Sequence, residues 1–204
     1  MLFDLQNEWN VHGNGITITD LRRIRTAVNA AAPSLIVTAS TSGDSVSEAA
    51  VNAFDVLSYH GPRDAHGSWA ETTDDLVDSL RDELALTPRG VVPVYLQEPN
   101  RFRIAEDTFS GFDNVPNHYW TSVQNAKRAG AAAWTFHTGA SFNLSSTTAF
   151  SALLQDGERT VLGGLAAALA TQPGWGVGRP RRPRGVEIRR DVAHDHSRRS
   201  LLFR

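Results

Sequence analysis

The chain has no cysteine and a single lysine, Lys127, among its 204 residues. The first absence excludes disulfides and thiolate metal centres, although it does not fix a compartment, because disulfide-free enzymes occur on both sides of the membrane. Long apolar runs are missing too. No stretch approaches the roughly 20 residues of a bilayer-spanning helix, so no membrane partner is expected. The N-terminus lacks the basic-then-apolar pattern of a secretion signal and reads instead as a buried strand. Other chemistries lack their motifs. Gly13-Asn14-Gly15 and Gly163-Gly164 have neither the spacing nor the strand-to-helix placement of a phosphate loop, and no Gly-x-Ser-x-Gly nucleophile elbow occurs.

What the chain does have is enough apolar material for a core, at 41% hydrophobic residues, and a pronounced charge asymmetry. Between Pro173 and Arg204 stand nine arginines against Glu187, Asp191 and Asp195, so a formal net charge of -2 divides into an acidic body near -8 and a basic tail. Residues 1–170 are expected to form the globular part and 171–204 an Arg/Pro/Gly-rich tail. Three readings of the tail stand: a disordered extension, non-native C-terminal sequence such as a shifted reading frame, or an anion-binding arm. Nucleic acid is not the expected partner.

From the start to about Ala170, short β-rich apolar runs alternate with segments of helical period, the pattern of βα units on a parallel sheet. Five strands are expected, at Leu2–Gln6, Leu35–Ala39, Val56–Tyr59, Val92–Gln97 and Ala131–Phe136. The helices between them carry start and stop signals. Leu21, Ile24, Val28 and Ala31 share a face after a Thr19/Asp20 cap. Ser45 with Glu48 has capping-box spacing. Thr72 and Thr73 precede an acidic first turn at Asp74 and Asp75, with Leu76, Leu80 and Leu84 inward. Pro116 opens a helix that stops at Gly130, another begins near Ser146 or Thr147, and Glu158 to Ala170 continues as a last helix.

In a parallel α/β barrel the residues at strand C-termini face the active site. Here those positions carry Asn7, Glu8, Trp9 and His12 after the first strand, and Tyr59, His60, Arg63 and Trp69 after the third. The fourth is followed by Gln97, Glu98, Asn100 and Arg101, and the fifth supplies Trp134, His137 and the Ser141-Phe142-Asn143 loop. The second offers only Ser40, Thr41 and Ser42. Hydrogen-bonding groups interleaved with aromatic faces describe a carbohydrate site, where hydroxyls need partners and the apolar sugar face needs a ring. The histidines at 12, 66, 137, 194 and 196 fit no recognised ligand spacing, so no metal is expected. Singly, each candidate also has an ordinary structural reading: Glu8 as a surface carboxylate, Glu98 as an ion-pair partner of Arg101, Asn7 as a turn cap, Trp134 as core.

Asp4-Leu5-Gln6-Asn7-Glu8 and Val94-Tyr95-Leu96-Gln97-Glu98 resemble the fourth- and seventh-strand signatures of clan A retaining glycoside hydrolases, cellulase-like (β/α)8 TIM-barrel enzymes. The resemblance covers roughly residues 1 to 155. It implies that Glu8 is the general acid/base, that Glu98 is the nucleophile, and that Asn7 binds the sugar 2-hydroxyl. Tyr59 or His60 would orient Glu98, and Trp134 would be the aromatic platform. The acid must keep its proton near neutral pH while the nucleophile stays ionised, so the two roles need different surroundings. It further implies a β-linked glycan substrate, no metal or organic cofactor, and a barrel truncated to strands four to eight, with three preceding βα units missing and a homodimer as one way to complete the core. The alternatives are a non-catalytic truncated barrel fragment or carbohydrate-binding protein, and, more distantly, an unrelated barrel enzyme such as a lyase.

Overall fold

The computed structural model describes residues 1–11, 15–42, 46–60, 68–99, 115–138 and 148–171. The expected tail from 172 onward lies outside them, as do His12, Ser45, Arg63, Asn100, Arg101, the 141–143 loop, Ser146 and Thr147. In chain order the elements are β1 (Leu2–Asp4), α1 (Ile18–Ala31), β2 (Ile36–Thr38), α2 (Glu48–Ala53), β3 (Leu57–Tyr59) and α3 (Ser68–Glu71). They continue with α4 (Thr73–Ala85), β4 (Val94–Leu96), α5 (Pro116–Ala129), β5 (Ala133–Trp134), α6 (Phe150–Leu153) and α7 (Asp156–Ala170). The protein is mixed α/β.

Among the described residues all strand pairings are parallel. β1 pairs with β2 in the register Phe3 opposite Val37, and β3, β4 and β5 form a second sheet with Tyr59 opposite Leu96 and Leu96 opposite Trp134. A parallel bridge between Thr41 and Tyr59 ties the two sheets together, through Thr41 N–H to Ser58 O at 3.0 Å and His60 N–H to Thr41 O at 3.2 Å. Strands therefore follow one another in sequence order, with β1 and β5 at the two ends. Among the described residues the series does not close into a barrel.

The strands fall where the apolar runs predicted and are shorter. Leu2–Gln6 shrinks to Leu2–Asp4, and Val92–Gln97 to Val94–Leu96, where Pro93 has no N–H for a ladder and contributes only its carbonyl, accepting from Leu57 N–H at 2.9 Å. Two predicted caps move. α1 is capped by Thr17, not Thr19: the Thr17 hydroxyl accepts from Asp20 N–H, and the Asp20 carboxylate accepts from Thr17 N–H in return. α2 is capped by Ser47, whose Oγ accepts from Ala50 N–H at 3.3 Å. In both helices the residue three positions before the bonded amide takes the cap, as Ncap-to-N3 geometry requires. Thr72 precedes α4 without a side-chain cap bond. Pro116 occupies the first turn of α5, and Gly130 ends it at φ 83°, the left-handed conformation that favours glycine. The last helix starts at Asp156, ahead of the expected Glu158. Glu158 is fully buried and its carboxylate accepts from Gln155 N–H at 2.6 Å and from the Thr138 hydroxyl.

Period-two alternation assigns the two faces of the strands. Leu57, Tyr59, Val94 and Leu96 point toward the helices and pack with Val77, Leu80 and Leu84 of α4 and Ala126 of α5. Val37 and Ala39 do the same with Leu21 of α1 and Ala50, Ala53 and Phe54 at α2. Trp69, Tyr119 and Val161 form a third cluster between α3, α5 and α7, with Tyr119 edge-on to both Trp69 and Phe136. Each Leu or Val so buried stabilises by about 1.5–3 kcal/mol relative to exposure. The opposite face carries Asp4, Thr38, Ser40, Ser58, His60, Tyr95, Gln97 and Thr135, and it is polar. Part of that polarity is satisfied across strands, where Thr38 Oγ1 donates to Val56 O at 2.9 Å, Tyr95 Oη meets Thr135 Oγ1 at 2.6 Å, and Ser58 Oγ donates to Gln97 Oε1. No helix among the described residues is long and apolar enough to cross a membrane.

Candidate active site

Three of the predicted residues meet where the strands end. His60, immediately after β3, places Nδ1 2.9 Å from Glu8 Oε1 and 3.5 Å from Glu98 Oε2. One side-chain atom from each of the three lies within 4.8 Å of the others. Glu8 comes from the turn after β1 and Glu98 from the turn after β4, so residues 90 positions apart converge because β1, β3 and β4 run parallel and end at the same side. His60 is buried, whereas the two carboxylates are partly open, with side-chain exposures of 31% for Glu8 and 22% for Glu98. With both carboxylates ionised, Nδ1–H donates into the space between them. Nε2 is buried without a hydrogen-bond partner among the described residues.

The turn that carries Glu8 is shaped by its neighbour strand. Glu8 has φ 47° and is the one non-glycine residue at positive φ among those described. An L-residue there costs conformational energy and persists only when its surroundings hold it. Ser40, at the end of β2 and fully buried, does the holding. Its Oγ accepts from Glu8 N–H at 3.0 Å, its carbonyl accepts from Trp9 N–H at 3.0 Å, and its N–H donates to Gln6 O at 3.2 Å. Ser40 Oγ also donates to Asn7 Oδ1 at 3.3 Å. One residue farther on, Asn10 and Ser42 bond reciprocally, Asn10 Nδ2 to Ser42 O and Ser42 N–H to Asn10 Oδ1. By residue type the second strand end, Ser40-Thr41-Ser42, looks poor in function. Its contribution lies in contacts 32 residues apart, and only the expected adjacency of the first two strands could have flagged them.

The other predicted residues are placed differently. Asn7 is exposed and anchored to Ser40. Tyr59 is buried in the helix-side core with Val77 and Leu80, so of the Tyr59-His60 pair it is His60 that reaches the carboxylates. Trp134 also lies on the helix side. Its Nε1–H donates to Ser122 Oγ of α5 at 3.0 Å, and Ser122 Oγ in turn meets Thr73 Oγ1 at 2.9 Å, so the indole is fixed into the helix layer. Trp69 is core, packed on Tyr119. His137 Nδ1 lies 3.2 Å from Pro99 O and thereby ties the end of β5 to the turn that carries Glu98.

Chemically, two carboxylates converge with a buried imidazole between them, a group able to donate one hydrogen to either. Such a set can hold and relay a proton, attack an electrophilic carbon, or bind a cation. No protein-family model, curated protein or solved structure matches the chain.

Proposed function

We propose that the chain carries the catalytic residues of a retaining glycoside hydrolase that cleaves a β-linked carbohydrate. The observation behind this reading is the approach of the two glutamates, with a carboxylate oxygen of each within 4.8 Å of the other. Retaining enzymes place their carboxyl groups roughly 5–5.5 Å apart, and inverting ones roughly 6.5–9.5 Å apart to admit a water. Five parallel strands in sequence order are also what strands four to eight of a (β/α)8 barrel would provide.

In this mechanism Glu98 attacks the anomeric carbon while Glu8 gives a proton to the departing glycosidic oxygen. The aglycone leaves and a glycosyl ester forms on Glu98. Glu8, now a carboxylate, takes a proton from a water that attacks the same carbon, which regenerates Glu98 and gives a product of retained configuration. Asn7 binds the sugar 2-hydroxyl. His60 shares its Nδ1 hydrogen between the carboxylates and holds them in register.

The test uses a panel of aryl β-glycosides, with the anomer first released identified by proton NMR. Retained configuration is expected, and Glu98→Ala, made in this chain and in a version extended to eight strands, should lower turnover at least about a thousandfold. Turnover unaffected by Glu98→Ala rejects the assignment. A non-catalytic carbohydrate-binding role draws on the open sheet, whose β1 end leaves Leu2, Phe3 and Ile36 about two-fifths exposed. Saturable sugar binding with no hydrolysis by either version selects it.

A further inference from the structure

We infer that Glu8, His60 and Glu98 form a binding site for one exchangeable divalent transition-metal cation of the zinc type. Binding rests on geometry alone; that an occupied site is a blocked one rests on the hydrolase reading above.

The donor set fits such an ion. Two carboxylates and a neutral imidazole match a divalent charge, and mixed oxygen and nitrogen donors suit zinc and its first-row neighbours better than magnesium or calcium. Ligands held about 2.0–2.2 Å from a tetrahedral zinc lie roughly 3.3–3.6 Å from one another. The His60–Glu98 separation is already 3.5 Å, the His60–Glu8 one must open from 2.9 Å, and the third, within 4.8 Å, joins the two partly open carboxylates. The buried member is the rigid one. His60 is 3% exposed, packed at the end of β3 with Nδ1 aimed between the carboxylates, so the least mobile donor is set before any ion arrives. Three protein ligands leave a fourth position for water or a sugar hydroxyl, as in open rather than closed zinc sites.

The surroundings also set the strength. A metal on Nδ1 puts the imidazole hydrogen on Nε2, which is buried without a hydrogen-bond partner among the described residues. Loss of that outer contact typically weakens metal affinity about 10- to 100-fold, so the ion exchanges freely and is not a permanent structural cofactor. Such a site escapes ligand-spacing rules because its members come from three different strand ends.

The probe is zinc chloride titrated calorimetrically into the full chain. His194 and His196 are first replaced by alanine, since that tail pair is itself a potential zinc binder. The expected result is one saturable equivalent, weakened at least tenfold by Glu98→Gln and lost in His60→Ala. Glu98→Gln keeps size and shape, so it decides the matter if His60→Ala does not fold. No saturable binding, or binding unchanged by Glu98→Gln, overturns the inference. Aryl glycoside hydrolysis measured in parallel should fall with the same zinc midpoint and return with chelator. If the metal-free chain shows no hydrolysis while the isotherm holds, the hydrolase reading fails and the metal site stands.

Discussion

The hydroxyl of Ser40 accepts the backbone amide of Glu8 at 3.0 Å, so the strained turn that aims the first carboxylate is held from the neighbouring strand. Ser40→Ala removes that acceptor and leaves a poorly solvated N–H behind. Urea unfolding should show a loss of about 1–3 kcal/mol. If Glu8 is the acid/base of the proposed hydrolase, hydrolysis should also fall roughly tenfold or more with KM little changed, because the same bond holds the turn that carries it. Equal stability and equal turnover would remove Ser40 from the account.

Trp134 is fixed into the helix layer through Ser122, and its substitution should register in stability before it registers in sugar binding. Ser122→Ala leaves the indole N–H without its acceptor, while the Thr73 hydroxyl keeps its bond to Trp69 O at 2.8 Å, and should destabilise by about 1–3 kcal/mol. Trp134→Phe should behave likewise, with KM for aryl glycosides unchanged. A rise in KM at unchanged stability would return Trp134 to the role of an aromatic platform.

Gly164 on α7 lies against the indole of Trp120, whose Nε1–H donates to Val161 O at 3.0 Å. A methyl group there would overlap the ring. Gly164→Ala would ordinarily favour a helix, by about 1 kcal/mol. Here overpacking outweighs propensity, and a net destabilisation of about 1–3 kcal/mol is expected in thermal or urea unfolding. Gly163, one residue earlier, has nothing within 4 Å of the same added atom. Gly163→Ala should therefore stabilise, and the opposite signs of the two variants are the check.

Two aspartates give pH dependences of opposite sign. Burial holds the Asp78 carboxyl above its ordinary 3.8, with Asp74, Asp82 and Asp75 adding to the effect and Arg81 opposing it. Folding thus disfavours the ionised form, and a stability penalty appears as pH rises through 3.8 and above. Asp78→Asn should raise the melting temperature at pH 7, and the gain should vanish below that range. Asp20 runs the other way. Its hydrogen bonds with Thr17 lower its pKa, so its contribution is present above 3.8 and lost as pH falls through the lower folded-state value. Asp20→Asn should cost stability at pH 7 and little in strong acid. Melting curves of both variants from pH 2 to 8 test both signs.

The sequence was most legible where interactions are local or periodic. Apolar runs locate the five strands of the described residues, and Pro116 with Gly130 bounds α5, because helix entry and exit chemistry is written within a few residues. Caps were harder. Thr17-Ile18-Thr19-Asp20 offers two hydroxyls, and the winner is the one that places Asp20 three residues on; Ser45 with Glu48 matched the box pattern, yet Ser47 makes the bond. The glutamates and His60 could be found as strand-end residues, but that His60 stands closer to Glu8 than to Glu98 depends on turn geometry. The part played by Ser40 was not legible, since nothing local marks a serine that bonds across 32 residues. Tyr59 and Trp134 resemble site residues by type and position near strand ends, while alternation sends both toward the helices.

The claim that Glu98 is a nucleophile working with Glu8 is tested most directly by trapping the intermediate. A 2-deoxy-2-fluoro-β-glycoside with a dinitrophenyl leaving group needs no acid for the first step and slows the second, so the glycosyl ester should accumulate. Intact-mass analysis should show one added sugar on the wild-type chain, mapped by peptide sequencing to Glu98. The adduct should form still in Glu8→Gln and be absent in Glu98→Gln. Label on another residue, or no label on a chain that hydrolyses glycosides, would contradict the account.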